Sequence, residues 1–223
     1  MKNKISVIIP TVQKALDVLN ELIQTISQDE CVTEILVINN KPETALDYDI
    51  PKVRVITPHE NLYVNKSWNL GVFIAQNNNF VLLNDDLLVS KDFCGKIVNS
   101  DIFNDANTGL IGMSNSMLKR FNENVTFSND APRFTKLKEH LHTGDWGCAI
   151  FGKKENYYKI PYKLKIIYGD NYLLYQNKLA GKQNYAIANL PCKHIHSASC
   201  ASPEFSSIVV KDINNSKEFF DNK

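Results

Sequence analysis

The sequence predicts a single α/β domain with a mostly parallel sheet between helices, and three observations carry this. Four short apolar runs rich in β-branched residues, "ISVIIP", "EILVINN", "KVRVIT" and "FVLLN", read as strands buried on both faces. Segments with helical spacing lie between them, in the order strand, helix, strand, strand, helix, strand, which is the pattern of parallel strands joined by crossovers. Polar residues gather where these strands end, the edge at which such sheets bind ligands.

In chain order, Ile5 to Pro10 is the first strand, and Thr11 can cap the helix after it. Ala15, Leu16, Leu19, Leu22, Ile23 and Ile26 recur at helical spacing over "QKALDVLNELIQTIS". The second strand ends in Asn39 and Asn40, and the third spans Lys52 to Thr57. "NKSWNLGVFIAQNN" is a helix with Trp68, Val72 and Ala75 on one face, and Phe80 to Asn84 is the fourth strand. Ser90 can cap a helix over "KDFCGKIVNSDIF", and "GLIGM" reads as a strand. From Ser114 to His142 the pattern weakens, as in loops or edge strands. Gly147 to Phe151 is a short strand and "KKENYY" a short helix. "NYLLYQNKLA" is a helix with Asp170 as cap and Gly181 as stop. "QNYAIA" and "CKHIH" are short strands, and "SKEFFDNK" is a terminal helix. There is no internal repeat and no Gly/Ser linker.

Composition narrows the function. The 223 residues carry a formal net charge of +1 with the basic residues scattered, which argues against a large electrostatic footprint for nucleic acid. The five cysteines form no C-x-x-C pair, so buried thiols are expected rather than a disulfide framework or a zinc site. The apolar start is too short for a signal segment, and no run approaches the roughly 18 to 20 residues that span a bilayer. A soluble, cytoplasmic protein is expected.

The chemistry concentrates in "FVLLNDDLLV", where Asn84, Asp85 and Asp86 interrupt an apolar run. No G-x-G-x-x-G follows a strand in the first half, and no G-x-x-x-x-G-K-[ST] occurs. A nucleoside diphosphate on this sheet must therefore be neutralised without a Gly-rich cradle. Carboxylates at the end of a buried strand can hold a hard divalent cation, which in turn holds the phosphates. The alternative is a turn or helix entry, where Asn and Asp are common.

Taken in order, "ISVIIPT", "EILVINNKP", "NLYVNKSWNLG" and "FVLLNDDLLV" resemble the nucleotide-binding half of family 2 glycosyltransferases with the GT-A fold. Asn61, Asn69 and Gly71 fall at the family spacing, and Asn84-Asp85-Asp86 falls on its metal motif. "DWGCAIFGKKENYYKI", "IIYGDNYLLYQNKLAGK" and "KHIHSAS" resemble later family segments more weakly. The resemblance implies a GT-A type single domain over residues 1–223. Residues 1–90 would form the Rossmann-like, nucleotide-sugar-binding half and residues 91–223 the acceptor and catalytic half.

The implied activity is metal-dependent transfer of a sugar, with inversion, from a nucleoside diphosphate sugar to an acceptor hydroxyl. UDP is the expected nucleotide and Mn²⁺ or Mg²⁺ the expected cation. By the same resemblance Asp170 is the general base. Asp86 is a direct metal ligand, with His196 as the second and His194 as its substitute. Pro10, Thr11, Asn39, Asn61, Asn65, Lys66, Asn69, Asn84 and Asp85 are nucleotide contacts. Asp145 and Trp146 would meet the donor or acceptor sugar, although Trp146 also reads as a core residue. A glycan or another hydroxyl-bearing molecule is the expected acceptor. A hydroxylated base in nucleic acid is also open, without support from the net charge.

Three positions depart from the family pattern. Asn39 replaces an Asp, Tyr63 replaces a Gly, and Gly169 replaces the first acid of an E-D pair. These departures feed one alternative, a catalytically degenerate protein that binds nucleotide or glycan. A second is a nucleotidyltransferase of the sugar-nucleotide pyrophosphorylase type. That class needs a Gly-rich loop after the first strand, and "PTVQKALD" has no glycine.

Overall fold

A computed structural model of the protein describes residues 3–138, 144–194 and 203–220, with the side chain of Asp145 outside that description. The first half runs β1 (Ile5–Thr11), α1 (Leu16–Ile26), β2 (Val32–Asn39), β3 (Val53–Ile56), α2 (Tyr63–Ile74), β4 (Asn79–Leu83) and β5 (Leu87–Leu88). The second half continues α3 (Phe93–Val98), α4 (Asp101–Asn104), β6 (Thr108–Met113), β7 (Leu118–Lys119), β8 (Phe134–Lys136) and β9 (Ala149–Lys153). It closes with α5 (Gly169–Leu179), β10 (Gln183–Ile187), β11 (Cys192–His194) and α6 (Ser206–Phe220).

Eight strands form one sheet in the order β3-β2-β1-β4-β9-β6-β10-β8. β3, β2, β1 and β4 are parallel, as are β6 and β10, whereas β9 and β8 run antiparallel to their neighbours. The mostly parallel sheet read from the sequence is thus present. Along β1 the apolar side chains alternate between the two faces. Val7 and Ile9 join Leu19, Leu22 and Ile23 of α1 in one core, while Ile8 joins Trp68 and Val72 of α2 in the other. This double burial is why the first strands read as continuous apolar runs. Gly71 lets α2 close on the sheet, because a Cβ there would overlap the side chain of Ile8.

A second, three-stranded sheet has the order β5-β11-β7. β5, β7 and β8 escape the sequence reading because strands of two or three residues cannot display a period. The helix expected over "KDFCGKIVNSDIF" breaks into α3 and α4. Ser100 caps α4 by accepting a 3.2 Å hydrogen bond from the Phe103 amide. Asp92, not Ser90, occupies the cap position of α3. Thr11 stays in β1, and α1 starts after Ala15 with no side-chain cap. The strand expected from Gly147 begins at Ala149, after a 3-10 turn over residues 145–148, and residues 154–156 form a 3-10 turn in place of the expected α-helix. α6 begins at Ser206, well before "SKEFF".

Trp146 is wholly buried and donates from Nε1 to the Tyr185 carbonyl at 3.1 Å. Its ring packs so closely on Gly112 that a Cβ there would overlap it. The expectation that Trp146 stacks on a sugar is therefore corrected: it is a core residue with no exposed face. Cys31, Cys94, Cys148 and Cys192 are buried, while Cys200 lies outside the described residues. Among the described residues no helix is long and apolar enough to cross a membrane.

Trp146→Ala is expected to lower unfolding stability by about 3 to 5 kcal/mol, the usual cost of truncating a buried aromatic side chain. Urea unfolding followed by circular dichroism measures this. A change within about 0.5 kcal/mol, the range of a surface substitution, would contradict the packing described.

Candidate active site

The carboxyl ends of β1, β2 and β4 meet at one edge of the sheet. Thr11 and Asn39 pair across β1 and β2, and Asn84 follows β4. The Thr11 hydroxyl donates to Asp85 Oδ2 at 2.5 Å and also accepts from the Gln13 amide at 2.8 Å. This ties the end of β1 to the acidic turn. The Asp85 carboxyl is pushed up from 3.8 to about 6. Burial is the largest cause, the Thr11 hydrogen bond opposes it, and the neighbouring Asp86 adds to it.

Asp86 is 4 % exposed, and its Oδ1 lies 3.2 Å from Nε2 of His194, which is 3 % exposed. That contact is close but not aligned as a hydrogen bond, and Oδ1 receives none among the described residues. Asn84 Nδ2 lies 3.5 Å from the same imidazole nitrogen. The small sheet explains how His194 arrives there. β11 pairs antiparallel with β5, and His194 stands opposite Leu87, the residue after Asp86. His196, the first choice from sequence, lies outside the described residues.

A divalent cation fits this pair. Neighbouring donors in an octahedral site with bonds near 2.1 Å stand about 3 Å apart, close to the observed carboxyl–imidazole spacing. Among the described residues no group of three His, Cys, Asp or Glu side chains suits a metal. Asp86 and His194 would thus supply part of the coordination and leave the remainder to phosphate oxygens and water, a common arrangement for cations on nucleotides.

Asp170 lies in the first turn of α5, where Tyr168 and not Asp170 takes the cap position. A carboxylate in the first turn is favoured by the helix dipole. Asp170 Oδ1 accepts from the Asn171 amide at 2.9 Å. Its Oδ2 lies over Gly147, where a Cβ would come within 2.7 Å. The next residue, Cys148, accepts at its carbonyl from the Asn84 amide at 2.9 Å. One short turn therefore joins the acidic end of β4 to the start of α5. The position before Asp170 has no room for a second acid, because a Cβ at Gly169 would collide with the Asn65 side chain.

The other expected nucleotide contacts divide. Pro10 stands beside Ile38 near the end of β1. Asn39 is wholly buried and engaged by the protein: Oδ1 accepts from Gln13 Nε2 at 2.9 Å and the Lys41 amide at 3.1 Å, and Nδ2 donates to the Thr44 carbonyl at 2.9 Å. It shapes the turn after β2. Asn61 accepts from the Tyr63 amide at 2.7 Å, as an Asx turn does. Asn69 binds the amide and carbonyl of Ile160 and the Tyr157 hydroxyl, all at 2.9 Å. Asn65 is buried and donates to the Ile167 carbonyl at 3.2 Å. Asn61, Asn65 and Asn69 thus brace backbone, and Lys66 is an exposed helix residue 3.1 Å from Glu60.

Sequence reasoning missed Gln13, Asn40, Tyr48 and Gly147. Asn40 joins Ser67 of α2 at 2.9 Å and accepts from the Leu62 amide at 2.9 Å. Tyr48 lies near enough to Asp85 for that carboxylate to raise its hydroxyl, after burial. The glycine before "CAIF" was the one available signal for Gly147. Nothing in the local sequence marks Gln13.

Asp85 makes a pH prediction for the metal-free protein. With its folded value raised, the native state binds the proton more tightly than the unfolded chain. Stability then falls as pH rises from 3.8 to about 6 and is flat above. Asp85→Asn keeps an acceptor for Thr11 and removes the charge. It should raise stability at pH 7.5 by about 3 kcal/mol and have little effect at pH 4, read by urea unfolding in chelator.

The family model described as "Glycosyl transferase family 2" matches residues 6–159. No curated protein matches the chain. Among solved structures, S. aureus TarS 1-349 superposes with a TM-score of 0.61 at 13 % identity, covering 97 % of this chain and 72 % of that one. The same TarS fragment in complex with UDP gives 0.59 at 13 % identity with the same coverage. A further structure of S. aureus TarS gives 0.60 at 12 % identity, covering 97 % of this chain and 44 % of that one. At such identities the likeness speaks to the fold, which is the GT-A type. With the family model spanning most of its length, this chain belongs to glycosyl transferase family 2.

Proposed function

We propose that the protein transfers a sugar from a UDP-sugar to an acceptor hydroxyl, with inversion and with help from a divalent cation. One observation carries the reading. The buried Asp86–His194 pair at the end of β4 is linked through Cys148 and Gly147 to the carboxyl of Asp170. A buried carboxyl beside an imidazole is costly for a core to hold, and a carboxyl tied to the same turn at a helix start suits proton transfer.

The residues divide the work. Thr11 and Asp85 form the rim that receives the nucleoside, and Asn39 shapes the turn beside them from within. Asp86 and His194 hold the cation, and an imidazole ligand suits Mn²⁺ better than Mg²⁺. When bound, the cation supplies positive charge that offsets the diphosphate leaving group. Asp170 accepts the proton of the acceptor hydroxyl as that oxygen attacks the anomeric carbon from the face opposite the diphosphate. The bond to the diphosphate oxygen breaks, its electron pair leaves with UDP, and the configuration inverts. The UDP complex of a TarS fragment sharing this fold supports UDP as the nucleotide. Asn65 fills the space a second acid would need, which supports Asp170 acting alone.

Thermal-shift screening of nucleoside diphosphates with and without Mn²⁺ tests the reading. UDP should raise the melting temperature only when Mn²⁺ is present, and an equal response to ADP or GDP would overturn the nucleotide assignment. Asp86→Ala should retain the fold and lose the Mn²⁺-dependent shift and turnover. Asp170→Asn should bind UDP as the parent does, with turnover lower by roughly 10² to 10⁴-fold. Turnover of that variant at the parent rate would remove Asp170 as the base.

A further inference from the structure

Asp212 of α6 is wholly buried, yet it touches no cation among the described residues. It meets three consecutive backbone amides instead. Lys165 N lies 3.0 Å from both Oδ1 and Oδ2, Ile166 N lies 2.6 Å from Oδ2, and Ile167 N lies 3.0 Å from Oδ2. Successive amides converging on one point form a nest for an anionic group, and here α6 fills it from within the chain. Two of these residues, Lys165 and Ile167, are also held by α2. The Asn65 amide donates to the Lys165 carbonyl at 3.0 Å, and Asn65 Nδ2 donates to the Ile167 carbonyl at 3.2 Å.

This clamped segment leads straight to the proposed base. Tyr168 comes next with φ of 64°, a left-handed conformation that a bulky residue keeps only where its surroundings enforce it. Gly169 and Asp170 then begin α5. We infer that Asp212 is a positioning residue for Asp170. By gripping the amides of Lys165, Ile166 and Ile167 it enforces the turn at Tyr168 and so aims the Asp170 carboxyl over Gly147. The inference rests on reading Asp170 as the general base. A misaimed base slows the chemical step and leaves donor binding alone, because the nucleotide rim lies on other elements. α6 has further anchors to the same region, among them Lys163–Glu218 at 2.8 Å and the Tyr172–Phe219 and Tyr175–Phe220 ring contacts. Loss of the Asp212 grip should therefore leave the helix docked.

The test uses the full chain and three variants, Asp170→Asn, Asp212→Asn and the double variant. Each is assayed for Mn²⁺-dependent turnover of whichever UDP-sugar the parent cleaves, and for UDP affinity. Asp212→Asn should lower kcat about 10 to 100-fold, leave KM and the Kd for UDP within about twofold, and shift the acid limb of the pH profile. Added to Asp170→Asn, it should cause no further loss, because both changes then act through one group. A kcat loss that matches the loss of folded protein overturns the inference, as does a rise in KM with kcat intact or an additive loss in the double variant. If Asp212→Asn does not fold, Asp212→Glu keeps the charge and displaces the oxygens. Reduced kcat with parent UDP affinity then supports the inference, and parent kcat overturns it. If Asp170→Asn is inactive while Asp212→Asn works at the parent rate, only the positioning role fails. Parent turnover by Asp170→Asn removes the base and the positioning role with it.

Discussion

Two carboxyl groups on neighbouring residues repel, and the end of β4 holds such a pair with little access to water. The rest of the site is arranged around that tension. Asp85 receives the Thr11 hydroxyl from β1, and Asp86 lies against the His194 imidazole brought by β11. Neither contact removes the strain, since the Asp85 carboxyl still sits at about 6. A fold does not gain stability from an arrangement of this kind. On the proposed reading it is the cost of a site that receives positive charge from a cation.

Backbone strain is concentrated around the same edge. The three non-glycine residues with positive φ among those described are Gln13, Tyr63 and Tyr168, at 60°, 59° and 64°. Gln13 comes just after β1 and braces Asn39, Tyr63 opens α2, and Tyr168 delivers Asp170. Tyr63 stands where the family pattern has glycine, and the backbone keeps the glycine-like conformation all the same. Its ring compensates with contacts to Phe205 at 6.2 Å and to the Lys165 ammonium at 4.9 Å. Asparagine amides take much of the bracing, with Asn39, Asn40, Asn65 and Asn69 each pairing with backbone from a distant segment or a neighbouring turn. A side chain with both donor and acceptor can satisfy an irregular backbone that no ladder reaches.

The small sheet has a purpose out of proportion to its size. β5 is two residues long, and its pairing with β11 brings His194 against Asp86. Strand period does not by itself place His194 there, since it says which face a residue takes and not which strand it meets. Only register across the small sheet puts His194 opposite Leu87.

Local chemistry in the sequence was enough to determine the first half. Doubly buried strands need continuous apolar runs, so β1, β2 and β4 were legible, and so was the acidic turn after β4 that an apolar core cannot absorb. The glycine stop after α5 was legible too, with Gly181 at φ of 76°. The tertiary structure decided everything that depends on which distant segments meet. Asp170 reads locally as a helix cap, yet it occupies the first turn because Tyr168 takes the cap under the grip of Asp212 and Asn65. Trp146 reads as either sugar platform or core, and Gly112 on β6 settles it as core by leaving space for the ring. Asn65 and Asn69 fall at motif spacing, but the segment from residue 157 to 169 folds onto them and takes their amides for its own backbone. Spacing along a chain specifies which side chains are available, and packing alone specifies what each one has left to bind.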